Sequence, residues 1–323
     1  MCGYSSVGRA SASQAEGRGF ESRWPLQSPH KEGIFVIWEG IYTKPIKDGI
    51  WIKLANTNVG VAKIGDITYI IDTGSSIKFA KELLSEMDNG KKAVLNTHSH
   101  ADHIQGNYLF EKNGAKIYAS ELEVPFIRNP LLETLYLYGA NPPKALRLSF
   151  YKAKPSYAVP FDKLDVRSEI DLIPLPGHSL GMTAIKINGV IFCGDAYFGS
   201  NVLEKYSYPY LIDVKKFLDS LDTLERLNAE LYIPSHGKPT SDPHPDIERT
   251  RTAVQNFVNA VLESLKEPGY IETLCAKVSE KMSVSLNAGT FYLFRSFVSS
   301  VLEFLEKTGK VRNSDIPGTW ETV

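Results

Sequence analysis

Extended and helical runs alternate through both halves of the chain, which predicts an α/β protein: two sheets enclosed by helices, with a helical tail. Three observations support this reading. Short runs rich in β-branched and aromatic residues, punctuated by Gly or Asp, begin at Gly33. Segments with apolar residues at helical spacing follow them. The residues with the most distinctive chemistry fall where strand-like runs end.

The first extended runs, GIFVIWEGIYT, GIWIKLA, TNVGVAKIG and TYIIDTG, read as successive and mostly antiparallel strands. SSIKFAKELLSEM, residues 75–87, offers a serine cap and sets Ile77, Phe79, Ala80, Leu83, Leu84 and Met87 at helical spacing. AVLN follows as a buried strand. Further strands are predicted at 115–119, 169–175, 183–187, 190–195 and 230–235, and helices at 103–111, 214–227, 245–266, 270–282 and 287–308. The expected organisation is a leader over 1–33, a catalytic domain over 34–245 and a helical region over 246–323.

Composition narrows the class. With 36 basic and 37 acidic side chains the net charge is −1, so no global attraction draws the protein to nucleic acid or to an anionic membrane. Cys2, Cys193 and Cys275 are odd in number and far apart, which argues against a disulfide framework and for a reducing, cytoplasmic setting. No apolar run reaches the roughly 18 residues that span a bilayer. Residues 1–33 are rich in Gly, Ser and Arg without apolar periodicity, and are expected to be disordered. Glu16, Glu21 and Glu32 weigh against a transit peptide. The stretch SSVGRASASQAEGRGFESR resembles the conceptual translation of a transfer-RNA gene, which would put the biological start near Ile34 to Val36.

The densest chemistry lies in THSHADHIQGN, residues 97–107. His98 and His100 are two apart on a chain leaving a strand, so both rings can face one side. Asp102 and His103 fall where the chain turns into a helix and return to the same point from another direction. Imidazole and carboxylate suit zinc, iron or manganese, and residue type alone does not choose among them. A solvated polar loop would rarely concentrate such ligands.

HSHADH resembles the HxHxDH signature of the metallo-β-lactamase superfamily, and later single residues match that family's remaining blocks in order: His178 in LPGHSLGM, Asp195 in IFCGDAYF and His236 in YIPSHGKP. Asp72 in YIIDTG matches a supporting aspartate. The resemblance covers residues 34–245 and implies a four-layer αββα sandwich. It implies two divalent metals, zinc ahead of iron or manganese, with His98, His100 and His178 on one, Asp102, His103 and His236 on the other, and Asp195 bridging. Hydrolysis through a metal-bridging hydroxide follows, with Asp102 orienting the water and relaying a proton. Tyr197, two residues past the bridge, is either a donor to an oxyanion or a packing aromatic. Cys193 reads as core, and His244 as a solvated helix start.

Substrate choice is expected to lie in the long stretch between His103 and His178, crowded with Tyr and Phe, which reads as a lid or a homodimer contact. Residues 125–167 hold Arg128, Lys144, Arg147, Lys152, Lys154, Lys163 and Arg167 against Glu133, Asp162 and Asp165. That excess either steers an anionic small-molecule substrate or is a solvated surface. The tail resembles the helical or winged-helix-like carboxyl region of some superfamily hydrolases, and its balanced charge lacks the basic stripe of a nucleic-acid clamp. The leading expectation is a dinuclear hydrolase of a small ester, thioester or lactone, in the manner of glyoxalase II or acyl-homoserine lactonases. A mononuclear iron persulfide dioxygenase and an RNA-cleaving member are the alternatives.

Overall fold

The computed structural model describes residues 44–147, 151–165 and 169–323. The leader and the first extended run, GIFVIWEGIYT, lie outside these, as does Arg167.

The first sheet is seven-stranded and runs in sequence order: β1 (Lys44–Lys47), β2 (Ile50–Lys53), β3 (Val59–Ile64), β4 (Ile67–Ile71), β5 (Lys91–Leu95), β6 (Lys116–Ala119) and β7 (Ala158–Pro160). β1 to β4 form an antiparallel meander, after which β4 to β7 are parallel. The change follows from the connections, since a tight turn suffices between antiparallel strands while parallel neighbours need a crossover. Those crossovers are α1 (Ile77–Ser85), α2 (Ala101–Ile104) with α3 (Asn107–Lys112), and α4 (Val124–Arg128) with α5 (Leu131–Tyr138). Ser76 caps α1 by accepting from the Phe79 amide at 3.1 Å. The single helix expected over 103–111 is broken into α2 and α3 around Gly106, whose Cα packs so closely on Thr73 and Ala80 that an added Cβ would meet them at 2.8 and 2.5 Å.

The second sheet has the order β11-β10-β9-β8, built from β8 (Ile170–Pro174), β9 (Thr183–Ile187), β10 (Val190–Gly194) and β11 (Leu231–Pro234). α6 (Ser200–Tyr206) and α7 (Val214–Arg226) connect β10 to its parallel neighbour β11. Beyond it come α8 (His244–Ser264), β12 (Gly269–Tyr270), α9 (Ile271–Lys281), α10 (Thr290–Lys307), β13 (Val311–Asn313) and β14 (Thr319–Thr322), the last three strands forming a small sheet.

Three cores make the layers. Ile50, Ile52, Tyr69, Ile71 and Leu95 of the first sheet meet Ile185, Ile187, Phe192 and Ile233 of the second between the sheets. The alternate residues Val59, Val61, Ile70, Val94 and Ile117 face outward onto Ala80, Leu83, Ile104, Phe110 and Val124 of the covering helices. On the far side, Ala184, Ile191 and Tyr232 pack beneath Phe217, Leu221, Phe257, Phe297 and Val301. The fold is therefore an αββα sandwich, and α8 to α10 share the hydrophobic core of the second helical layer.

One backbone position decides how the second sheet delivers its first ligand. Gly177 has φ of +127°, and an added Cβ would lie 2.2 Å from the Phe217 backbone nitrogen. Its carbonyl accepts from Ile212 and Asp213, tying the loop before His178 to the start of α7. Gly177→Ala is expected to cost roughly 3–5 kcal/mol or to prevent folding. Gly65→Ala, at φ of +59° with open space around the new carbon, should cost only about 1–2 kcal/mol. Denaturant unfolding of the two variants measures the contrast, and equal losses would contradict it.

Candidate metal centre

All seven metal-site residues named from the sequence meet in one cluster at the strand ends. β5 delivers His98 and His100, α2 Asp102 and His103, the β8–β9 turn His178, the end of β10 Asp195, and the end of β11 His236. Side-chain nitrogens and oxygens form groups with all members within 4.8 Å: His98, His100 and His178 in one, Asp102, His103 and His236 in another. In the first, His100 Nδ1 lies 3.1 Å from His98 Nε2 and 2.9 Å from His178 Nε2. In the second, Asp102 Oδ2 is 3.2 Å from His236 Nε2 and 3.7 Å from His103 Nε2. Asp195 reaches both: its Oδ2 is 3.3 Å from His178 Nε2 and 3.4 Å from His236 Nε2, and its Oδ1 is 3.4 Å from His103 Nε2.

The opposite ring nitrogens explain why these atoms face inward. His103 Nδ1 donates to Asp72 Oδ2 at 2.9 Å, His178 Nδ1 to the Tyr210 carbonyl at 2.8 Å, and His236 Nδ1 to the Asn56 carbonyl at 2.6 Å. His98 Nδ1 lies 3.0 Å from Thr97 Oγ1, whose own hydroxyl proton goes to Asp72 Oδ2 at 2.7 Å. Each bond leaves Nε2 as the lone-pair nitrogen directed into the cluster. Asp72 sits at φ of +59° and also accepts from the Thr97 amide at 2.8 Å.

Buried polar atoms left without partners test whether cations fit. Among the described residues, His103 Nε2 and Asp195 Oδ1 are buried and make no hydrogen bond. His98, His100 and His178 converge on one point, and because the outer nitrogens of His98 and His178 are already used, their inward lone pairs are opposed. A buried atom in that condition is costly, and a cation between the groups satisfies all of them at once. The donor set is N and O only, which suits zinc, iron or manganese.

The two groups differ in charge. Burial lowers His98 well below an ordinary imidazole, pushes His100 down to about 4 and His178 to about 3. Burial opposes protonation of His103 and His236 too, but Asp102, Asp195 and Asp72 outweigh it and raise His103 to about 10, while Asp195 and Asp102 raise His236 well above the usual range. Burial disfavours ionised Asp102 and Asp195 in turn, yet the same histidines hold both carboxyls below the carboxylate range.

Several supporting residues carried no signal in the sequence. Glu123, 1% exposed, accepts from the Ser99 amide and hydroxyl, from Ser179 Oγ at 2.7 Å and from the Gly181 amide at 2.7 Å. It ties the loop of His98 and His100 to the loop of His178. Asn58 Nδ2 donates to the Pro234 and Gly237 carbonyls at 2.9 and 2.8 Å, and Thr57 Oγ1 donates to Asp102 Oδ2 at 3.2 Å, so the β2–β3 turn secures His236 and Asp102. Tyr210 stands beside His100, ring centroids 5.7 Å apart, and its hydroxyl lies 3.2 Å from that of Tyr136 and 3.3 Å from Ser296 Oγ of α10. Glu133 Oε1 lies 3.8 Å from His100 Nε2, and burial together with nearby Glu123 pushes the Glu133 carboxyl up to about 8. Only pairing across the fold brings these groups to the centre.

For Tyr197 the packing chooses between the two readings. Tyr197 is fully buried in the core under the second sheet, with its hydroxyl beside Cys193. That is the packing aromatic and not a donor facing a substrate. Among the described residues of the basic stretch, four make contacts away from the cluster. Arg128 donates to the Ala158 carbonyl and stacks on Tyr157, Arg147 holds the Pro142 carbonyl, Lys154 lies over Tyr108 and Lys163 pairs with Asp162. Cys193 is buried and its thiol pushed up to about 12 by burial, as a core residue should be. His244 is exposed at the start of α8 and pairs with Asp242.

A profile of the metallo-beta-lactamase superfamily matches residues 52–236. A probable metallo-hydrolase of Methanocaldococcus jannaschii is 28% identical over 190 residues, which cover 54% of this chain and 85% of that protein. A hydroxyacylglutathione hydrolase of Buchnera aphidicola subsp. Baizongia pistaciae is 29% identical over 200 residues, or 61% of this chain and 65% of that one. Among solved structures, a metallo-beta-lactamase family protein from Thermus thermophilus has the same fold, with a TM-score of 0.67 at 21% identity over 86% of this chain and 99% of that one. The profile spans more than half of the chain and takes in every residue of the histidine and aspartate cluster, so the chain belongs to the metallo-beta-lactamase superfamily.

Proposed function

We propose that this metallo-β-lactamase-fold hydrolase holds two divalent metal ions, zinc in the first instance, and cleaves a small ester, thioester or lactone. The observation that carries the reading is Asp195, one carboxylate within 3.3–3.4 Å of histidines from both groups. His98, His100 and His178 hold one ion, and Asp102, His103 and His236 the other. Metal ions bound there lower the pKa of water from roughly 15.7 to about 7 and polarise a substrate oxygen. The chain does the rest. Asp102, whose side chain is 39% exposed, turns Oδ2 to the histidines and would accept a proton at its other carboxylate oxygen and return it to the leaving group.

The related hydroxyacylglutathione hydrolase and metallo-hydrolases support ester or thioester cleavage. A persulfide dioxygenase would leave the second group unused. Metal analysis with an oxygen electrode separates the two: about two zincs per chain with esterase turnover is expected, and one iron with oxygen uptake on glutathione persulfide would replace this reading. No helix among the described residues is long and apolar enough to cross a membrane. Cys193 and Cys275 are free and buried, which supports a reducing, cytoplasmic setting.

The charge difference between the groups predicts staged loading. The His98 group has pKa values below the ordinary 6.5 or so, so it is neutral at pH 7. The His103 group is raised, so it stays protonated until the pH approaches about 10 for His103. A cation entering the first group displaces no proton, whereas entry to the second expels them. At a fixed free zinc concentration, occupancy should rise from about one ion per chain near pH 6 towards about two as the pH approaches about 10, and proton release should accompany only the second. Simultaneous filling with equal proton release would refute the assignment. The same shifts act on the metal-free fold with opposite signs. Its first group favours folding above about pH 6.5 and loses that contribution as pH falls towards 4 and 3. Its second favours folding below about pH 6.5 and loses it as pH rises through about 10.

A further inference from the structure

A cleft of about 160 Å³ opens beside His100, lined by Phe126, Glu133, Tyr136, Leu180 and Ile212 among others. A second hollow of about 380 Å³ continues from it, lined by Phe126, Leu132, Leu135, Tyr136, Gly139 and Ala140. Phe126 and Tyr136 line both, so the two hollows adjoin and together follow α4 and α5 outward from His100. Their chemistry is one-sided. The outer part is apolar, Tyr136 supplies a hydroxyl, and the charged or chargeable groups of the inner part are His100, Glu123 and Glu133. Among the described residues, no lysine or arginine lines either part. Glu123 is already saturated by the two ligand loops, so Glu133 is the carboxyl a ligand meets. Leu180 and Tyr136 are 49% and 47% exposed, which is large apolar surface beside a reactive centre.

We infer that the substrate carries an uncharged, apolar acyl group that lies along these hollows, and that substrates with an anionic acyl group are excluded. The inference rests on the hydrolase reading above and names its substrate class. An acyl carboxylate reaching the outer part would lie against Leu132, Leu135 and Phe126, where no lysine or arginine is among the described lining residues, and a charge set on apolar surface without a partner is disfavoured. An alkyl chain instead covers Leu132, Leu135 and Phe126 and gains from each methylene removed from water. Gly139 and Ala140, without bulk, leave the far end open.

The test compares acetyl, hexanoyl and succinyl esters of one phenol with the zinc-loaded, full-length protein. Because each buried methylene is worth about fourfold, kcat/KM should be about tenfold or more higher for hexanoyl than for acetyl, and about tenfold or more lower for succinyl than for hexanoyl. Leu135→Lys should bring the succinyl and hexanoyl values together. Independently of turnover, 1-hexanol added to the metal-free protein should shift the amide resonances of Gly139 and Ala140, while succinate should not. If hexanol moves those amides but no ester is cleaved, the hydrolase reading fails and the apolar hollows stand. Succinyl turnover equal to hexanoyl, or amides unmoved by hexanol, would overturn the assignment of the hollows whatever the enzyme hydrolyses.

Discussion

Asp195→Ala should lose metal and turnover together. Asp195 is 4% exposed and faces His178, His103 and His236 within 3.4 Å, so no other side chain can replace its charge. Loss of a single outer contact to a metal-holding histidine already costs about 10- to 100-fold in affinity or activity. Removing a carboxylate shared by both groups should cost more than about 100-fold in esterase kcat/KM, with zinc falling below about one ion per chain at pH 7. Asp195→Asn retains the shape and one acceptor, and should keep more metal than the alanine variant. The metal-free variant gives a second readout. Without this carboxylate less holds the proton on His103 and His236, so their raised pKa values fall and the alkaline loss of stability moves to lower pH. Zinc content and turnover both matching the parent protein would remove Asp195 from the centre.

Glu123→Ala should be the most destabilising side-chain truncation among residues outside the histidine and aspartate cluster. Its carboxylate accepts four hydrogen bonds from Ser99, Ser179 and Gly181 in a buried setting. Truncation leaves those donors without acceptors, and breaking such a buried charged network costs roughly 3–5 kcal/mol. The melting temperature should fall on the order of 10 °C. Zinc affinity should fall about 10- to 100-fold as well, because Ser99 lies between His98 and His100 and Ser179 follows His178. Glu123→Gln keeps the volume and one acceptor oxygen but turns an amide NH2 towards the donors, so its loss should be intermediate. A purely packing role would lower melting temperature and leave the zinc affinity of the folded protein unchanged, and that outcome would refute the loop-clamp assignment.

What could be read directly from the residues was whatever has a local signature. The 3.6-residue apolar spacing marked α1, α7, α8, α9 and α10 to within a few residues, because each buries one continuous face. The helix expected over 103–111 is interrupted at Gln105 and Gly106, where Gly106 packs against Thr73 and Ala80, a long-range contact that no spacing within the segment reports. Helices α4 and α5 were missed for a related reason. Pro125 stands in the first turn of α4, α5 is only eight residues long with apolar residues on most sides, and their burial depends on neighbours far away in sequence.

The candidate centre divides the same way. His98, His100, Asp102 and His103 were legible because they crowd six positions after a strand, and His178, Asp195 and His236 because each closes a strand-like run in the superfamily's order. Which side chains meet was decided only in three dimensions. The strand ends bring seven donors within a few ångströms, and the side chains that hold those donors in place come from positions with no motif: Glu123 after β6, Thr57 and Asn58 in the β2–β3 turn, and Ser296 on α10. Tyr197 stayed open between donor and packing aromatic because its position two residues past Asp195 says nothing about which face its ring takes, and its burial in the second core chooses the packing role. The physical reason is common to all of these. Periodicity and ligand spacing are properties of neighbouring residues, whereas the pairing of buried donors, the lack of a lysine or arginine among the described residues lining the two hollows and the charge difference between the two histidine groups arise from residues joined only by the packing of the sheets.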